Sequence, residues 1–313
     1  MPVAKTAWMF PGQGSQHVGM GRDLVEAFPA AADVFRQAGE ILGFDLAAVC
    51  FEGPEDKLRE TRFTQVAILT HSVAVLRAIE GKAARPAYVA GHSVGEYAAL
   101  VAAGALAFED ALKLVRARAE AMHAAAIANP GAMAALVGLP EDKLDGLLRE
   151  GASSGVVRAA NYNSPVQVVV SGEAGAVDAV IKAAPSFGAK RAIRLNVSGA
   201  FHSPLMASAE AALSGALASA RFARAAVPVV SNVTAEAVSE PGEIAGLLKR
   251  QLTSPVRWRQ SVELMAGEGV GLFVEVGPGN VLAGLVKRIA PAAECVSLSD
   301  AGSVEAFLQG GRT

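Results

Sequence analysis

The chain has 313 residues, 52% of them hydrophobic and 19% charged, with a formal net charge of −2. That is ample material for one large domain or two smaller ones, and it argues against disorder. The near-neutral charge carries no nucleic-acid footprint, and every apolar run is broken by Gly, Pro or charge before it reaches membrane-spanning length.

The N-terminus enters a strand at once and then meets Pro11 and Gly12, without the charged start, long apolar stretch and cleavage site of a signal peptide. The two cysteines, Cys50 and Cys295, are far apart and fit no metal spacing, so a reduced, cytoplasmic setting and no bound metal are expected.

In chain order, short apolar runs alternate with longer helical patterns, which points to an α/β fold with a largely parallel sheet. Strands are predicted over 4–10 and 87–90, and helices over 30–42, 65–79 and 109–125. The middle reads differently. A strand over 132–137, a helix over 141–149, a hairpin of 156–160 with 167–170 around Asn163-Ser164-Pro165, a helix over 176–184 and a strand over 191–195 follow one another. That β-α-β-β-α-β order is the ferredoxin-like arrangement. A small domain over 127–199 is therefore expected, inserted into a larger one made of 1–126 and 200–313. The larger part resumes with a helix over 204–218, strands over 227–231 and 272–276, and a helix over 281–289. There is no internal repeat, only alanine enrichment.

Gly91-His92-Ser93-Val94-Gly95 fits Gly-x-Ser-x-Gly, the nucleophile-elbow pattern, with a strand before it and a buried helix after it. A sharp strand-to-helix turn strains the serine backbone and lifts Oγ into the open, and the helix N-terminus behind it offers unpaired N–H groups to an oxyanion. The alternative is a tight packing turn. A serine nucleophile needs a base. His17 sits in a Gly-rich turn, His71 inside an apolar helix, His92 beside the serine with its ring directed away, and His123 near the polar boundary of its helix. His202 differs, in a turn-rich loop where the chain re-enters the large domain. The acids between Ser93 and His202 lie mostly on exposed-looking helical positions, so a dyad oriented by something other than a carboxylate is expected. Gly12-Gln13-Gly14 lacks the third glycine of a dinucleotide fingerprint. It is either a plain turn or a source of backbone donors, in which case Gln13 and Val94 supply the two amides of an oxyanion hole.

At 100° per residue along 109–125, Arg118 falls in the middle of an apolar stripe of Ala111, Leu112, Leu114, Val115, Ala119 and Met122, with Lys113, Arg116 and Glu120 opposite. An arginine on a core face must meet an anion. That anion is either an internal carboxylate or a substrate carboxylate held by the guanidinium fork. Lys190, Arg191 and Arg194 cluster on the last small-domain strand, as a docking patch for an acidic partner or as a solvated face.

Taken together, these residues resemble the malonyl-CoA:acyl-carrier-protein transacylases of fatty-acid synthesis and the related acyltransferase domains of polyketide synthases. The resemblance runs nearly end to end. It passes through Phe10-Pro11-Gly12-Gln13-Gly14-Ser15-Gln16, the elbow with Glu96-Tyr97, Gly131-Ala132-Met133-Ala134-Ala135, Asn161-Tyr162-Asn163-Ser164-Pro165 and Phe201-His202-Ser203. It closes with Gln251-Leu252, Ser254-Pro255-Val256 and Glu275-Val276-Gly277-Pro278-Gly279. The resemblance implies a hydrolase-like large domain carrying a ferredoxin-like small one. It implies that Ser93 is acylated, that His202 is the base and that an oxygen of Gln251 orients it. It also implies Gln13 and Val94 as the oxyanion hole, Arg118 as the malonyl-carboxylate residue and Phe201 as a mark of malonyl selectivity. The implied reaction is ping-pong transfer from malonyl-CoA, a substrate, to the phosphopantetheine thiol of acyl carrier protein, with no metal or redox cofactor. A serine esterase, with water as acceptor, would need no arginine in its acyl pocket.

Overall fold

The computed structural model describes residues 5–310. Its strands are β1 (Lys5–Phe10), β2 (Tyr88–Gly91), β3 (Gly131–Val137), β4 (Val157–Ser164), β5 (Gln167–Glu173), β6 (Arg191–Arg194), β7 (Val229–Val230), β8 (Ala237–Val238), β9 (Val270–Val276) and β10 (Glu294–Leu298). The larger sheet runs β10-β9-β1-β2-β7-β8. All its pairs are parallel except β7 with β8. The central strands are buried on both faces, as their unbroken apolar runs require. Phe10 lies opposite Gly91, so β1 and β2 end at one level. The loops leaving them share the carboxyl edge of the sheet, where open α/β folds place their ligands.

The second sheet, β4-β5-β3-β6, is antiparallel throughout. Helices Leu144–Ala152 and Ala174–Ala183 pack on it around Leu136, Leu147, Val157, Val170, Val177 and Val180. The fold is thus a parallel-sheet α/β unit, hydrolase-like, with a ferredoxin-like one, as expected. Two backbone hydrogen bonds, Tyr162 N–H to Val256 O and Val256 N–H to Ala160 O, tie edge strand β4 to the segment after helix Pro241–Gln251.

Several boundaries differ from the expectations for physical reasons. The expected start of the first strand at Ala4 lies outside the described residues, as do 1–3 and 311–313. The strand expected over 227–231 shrinks to β7, because Ser231 N–H turns back to Glu236 O and starts the return into β8. The helices expected over 204–218 and 141–149 each open as a 3-10 turn, Pro204–Met206 and Glu141–Lys143, before Ala207–Ser219 and Leu144–Ala152. The hairpin turn falls at Pro165 and Val166, and Asn163 belongs to β4. The pairing register shifts between Tyr162 and Ser164, so Asn163 is the extra residue of a bulge, a device that re-aims a side chain. Strands β8 and β10, edge strands of mixed exposure, gave no apolar signal.

The elbow depends on two close backbone approaches. A Cβ on Gly95 would lie 2.1 Å from the Phe10 carbonyl oxygen, and one on Gly91 2.0 Å from the Gly95 carbonyl carbon. Gly95→Ala is therefore expected to cost about 1–3 kcal/mol or more and to lower the thermal midpoint by roughly 2–4 °C per kcal/mol. Gly246→Ala is the control, since a Cβ there meets nothing in helix Pro241–Gln251 and should leave the midpoint unchanged or raise it. Equal midpoints for the two variants would refute the wedge.

Candidate active site

Ser93 stands between β2 and helix Gly95–Ala102 with φ 53, in the left-handed region that a non-glycine residue occupies only when its surroundings hold it there. Two amide side chains do so. Ser93 N–H donates to Asn232 Oδ1 at 2.7 Å, and Gln251 Nε2 donates to the Ser93 carbonyl at 3.1 Å. Asn232 also donates from Nδ2 to the Gly91 carbonyl at 2.6 Å, bracing both sides of the turn. Asn232 follows β7, the next strand of the sheet, so it reaches the elbow from the same carboxyl edge.

His202 lies in the loop after β6 with φ 57, the second strained residue of the site. Its Nε2 is 2.8 Å from Ser93 Oγ, and its Nδ1 is 2.9 Å from the Gln251 backbone carbonyl. A carbonyl only accepts, so Nδ1 carries the proton and Nε2 is free to receive one from the serine. The orienting oxygen of Gln251 is thus its main-chain one. Burial, assisted by the Arg118 charge, pushes the His202 pKa down to about 3, so the imidazole stays neutral at physiological pH. The other histidines stay apart from Oγ. His92 Nε2 is 2.9 Å from Asn163 Oδ1 and its ring packs on Trp258 at 5.6 Å, while His17, His71 and His123 do not line the cavity at Ser93.

Arg118 sits on helix Phe108–Ala128 at 1% exposure, among the expected apolar stripe, every member of which is buried. Its hydrogen bonds all go to neutral oxygens. Nη1 donates to Gln65 Oε1, and Nη2 is 3.0 Å from both Ser93 Oγ and Gln251 Oε1. Nε has no partner among the described residues. No carboxylate forms an ion pair with Arg118 there, so the internal-carboxylate alternative is not realised. Burial draws its pKa down from the ordinary arginine value. The one buried acid nearby is Glu96, which accepts from Gln251 Nε2 at 2.7 Å and Asn232 N–H at 3.3 Å. Burial pushes its carboxyl up to about 7, against the pull of those hydrogen bonds and of Arg118.

Gln13, Val94, Arg118, Phe201 and His202 line one cavity of about 110 Å³ with Ser93. The backbone amides of Gln13 and Val94 donate to no acceptor among the described residues, and Thr61 Oγ1 steadies the Gln13 side chain at 3.2 Å. Two roomier grooves, of about 610 and 860 Å³, lie elsewhere and are lined by no serine, cysteine or histidine. All the expected site residues therefore meet at one place. Four others join them. Gln65 and Glu96 are polar residues inside buried helices, a signal the sequence does carry, whereas Asn163 and Asn232 are brought in by a bulge and by strand order.

The expected basic cluster is divided. Arg194 pairs with Asp178 on helix Ala174–Ala183, whereas Lys190 and Arg191 line a groove of about 490 Å³ with Arg288 and the exposed Val166 and Ile193. The two-residue alternation of β6 sends Arg191 and Ile193 to one face and Arg194 to the other, while Lys190 precedes the strand and joins the groove from outside it. Among the described residues, no group of three or more His, Cys, Asp or Glu is placed to hold a metal ion. No helix there is long and apolar enough to cross a membrane.

A strand–elbow–helix serine, a histidine on a backbone carbonyl and free amides beside them define an acyltransferase-type site on a hydrolase-like sheet, and residues 7–303 match the acyl transferase domain family. The chain belongs to the malonyl CoA-acyl carrier protein transacylase family, and it is an acyltransferase enzyme. It is 44% identical to the malonyl CoA-acyl carrier protein transacylase of Bacillus subtilis over 98% of this chain and 97% of that one. It is 43% identical to that of Escherichia coli over 98% and 100%. The solved transacylase of Coxiella burnetii superposes with a TM-score of 0.95 at 41% identity, covering 98% of this chain and 97% of that one. A malonyl-transacylase solved in complex with its type II polyketide-synthase acyl-carrier protein does so at 0.95 and 40%, covering 98% and 100%.

The lowered His202 pKa has a direct consequence. A group that works as a base only when neutral loses function below its pKa, and here that lies near 3 instead of the ordinary 6.5. Modification of Ser93 by an uncharged reagent such as phenylmethylsulfonyl fluoride should hold its rate from about pH 8 to about pH 5.5. A sigmoidal loss centred in the ordinary histidine range would refute the lowering of the His202 pKa by burial.

Proposed function

We propose that this protein carries a malonyl group from malonyl-CoA to the phosphopantetheine thiol of an acyl carrier protein, through a malonyl ester on Ser93 in ping-pong order. The observation that carries the reading is Arg118, a buried guanidinium 3.0 Å from the nucleophile whose only bonded partners are neutral. An acyl group bearing a carboxylate supplies the missing anion. The unpaired Nε–H and the shared Nη2–H offer it two parallel donors.

His202 Nε2 takes the Ser93 proton as Oγ attacks the thioester carbonyl, and the oxyanion rests on the Gln13 and Val94 amides. The intermediate collapses, the C–S bond breaks, and the proton held on His202 goes to the departing coenzyme A sulfur. In the second half-reaction the carrier thiol gives its proton to His202 and attacks the acyl-serine, and Ser93 recovers its proton. Gln251 holds His202 through its carbonyl. Phe201 walls the cavity, limiting the acyl group to one without a branch. Serine, histidine and backbone amides suffice for every step, so no metal or redox cofactor is assigned one.

For the carrier protein, the groove of Lys190, Arg191 and Arg288 is the surface of choice, since it holds three cations, two exposed apolar side chains and no acid. We assign the small domain to 127–199 and the large one to 1–126 with 200–313, which is supported by the span of the antiparallel sheet from Gly131 to Arg194. A cytoplasmic location agrees with both cysteines being free.

Intact-protein mass spectrometry tests the reading. Malonyl-CoA alone should add one malonyl group, carrier protein should remove it, and Ser93→Ala should show no adduct. Arg118→Ala should lose about 3–5 kcal/mol of malonyl transfer, the cost of unpairing a buried charge, while acetyl transfer holds or rises. A wild-type malonyl-to-acetyl ratio in that variant would sink the clamp. Charge reversal at Lys190, Arg191 and Arg288 should raise KM for carrier protein and leave acylation by malonyl-CoA unchanged, whereas an unaltered KM would move docking to another face.

A further inference from the structure

Glu96 is 4% exposed, lies beneath the elbow and does not line the cavity. Its influence runs through two amides. Oε2 accepts from Gln251 Nε2 at 2.7 Å and from Asn232 N–H at 3.3 Å. An ionised carboxylate can only accept, whereas a glutamine amide donates at one end and accepts at the other. Glu96, with the Ser93 carbonyl, therefore sets which way the Gln251 amide faces. Nε2 is committed to Glu96 and the Ser93 carbonyl, and Oε1 is left to receive Arg118 Nη2 at 3.0 Å. Turned over, the amide would set its NH₂ against the guanidinium, two donors without an acceptor in a buried site. We propose that Glu96 is a positioning residue for substrate selection, holding the Arg118 fork in register for a substrate carboxylate through the orientation of the Gln251 amide. This rests on the reading of Arg118 as the carboxylate clamp.

The protonation state of Glu96 enters because a carboxylic acid can donate. A protonated Glu96 can donate a hydrogen bond to Gln251 Oε1 in the turned amide, which removes that acceptor from Arg118 Nη2. Burial pushes this carboxyl up to about 7, so the exchange falls near neutral pH. The charged and titratable groups acting around it are Arg118 on helix Phe108–Ala128 and Tyr97 on its own helix, while the segments bearing Asn232 and Gln251 bring neutral amides. His202, near 3, does not titrate in this range.

The test is kcat/KM for Ser93 acylation by malonyl-CoA and by acetyl-CoA, in wild type, Glu96→Gln and Arg118→Ala, from about pH 5.5 to about pH 8.5. The malonyl-to-acetyl ratio of the wild type should fall about tenfold as pH drops through the Glu96 transition. Glu96→Gln should show a ratio about tenfold or more below wild type at the alkaline end, unchanging with pH, because malonyl transfer falls by that factor more than acetyl transfer does. A purely structural role would depress both substrates together, and that result overturns the proposal. So does a wild-type ratio that is flat across the range, which decides the matter even where Glu96→Gln does not fold. Arg118→Ala separates the two ideas. If it keeps the wild-type ratio, the clamp reading itself has failed. If it loses the ratio and Glu96→Gln keeps it, only the role of Glu96 is refuted.

Discussion

Everything at this site depends on the tight passage from β2 into helix Gly95–Ala102. The helix begins so close to the end of β1 that a Cβ at Gly95 would strike the Phe10 carbonyl. Only in that passage does Ser93 adopt its left-handed backbone, with Oγ in the cavity and its amide and carbonyl turned to Asn232 and Gln251. The strain of one residue is held by hydrogen bonds from two distant segments, the loop after β7 and the end of helix Pro241–Gln251. His202 shows the same logic, at φ 57 with its ring fixed by the Gln251 carbonyl. Serine and histidine are therefore held in register by the fold itself, the kind of preorganisation from which catalytic sites gain their advantage.

The second constraint is the uncompensated charge of Arg118. Desolvating a guanidinium is costly unless an anion meets it, yet its bonded neighbours are Gln65, Gln251 and Ser93, all neutral. The protein keeps that cost low with a ring of acceptors, the Tyr97 ring at 5.9 Å and the through-amide connection to Glu96. A permanent ion pair would be more comfortable and would leave the guanidinium no unmet donor for an anion. Gln251 is the junction of the whole arrangement, since its backbone carbonyl meets His202 and its side chain meets Ser93, Arg118 and Glu96.

The small domain contributes through contacts that no local pattern announces. Its edge strand β4 is tied to Val256 by two backbone bonds, and its bulged Asn163 reaches His92. These hold the 251–256 segment and the elbow against one another across the cleft.

Much of this was legible in the residues alone. Gly-x-Ser-x-Gly between a strand and a helix marks the strained serine turn because that turn demands glycine on both sides. The 3.6-residue period of helix Phe108–Ala128 marks Arg118 because no other charge falls inside the apolar stripe. The β-α-β-β-α-β order follows from alternating patterns of period 2 and 3.6. Tertiary structure alone decided the rest. That the acceptor for His202 is a main-chain oxygen leaves no side-chain signature, and that Asn232 reaches Ser93 follows from β7 lying beside β2. The parting of Arg194 from Arg191 depends on what packs against each face of β6, and Lys190 joins Arg191 from outside the strand. Glu96 stood in view in the elbow motif, but its meaning lies in the direction of two amides it touches, across 136 and 155 residues of chain. Sequence records local geometry, which is periodic. Which distant polar groups satisfy one another is settled only when the strands take their order and the core excludes water.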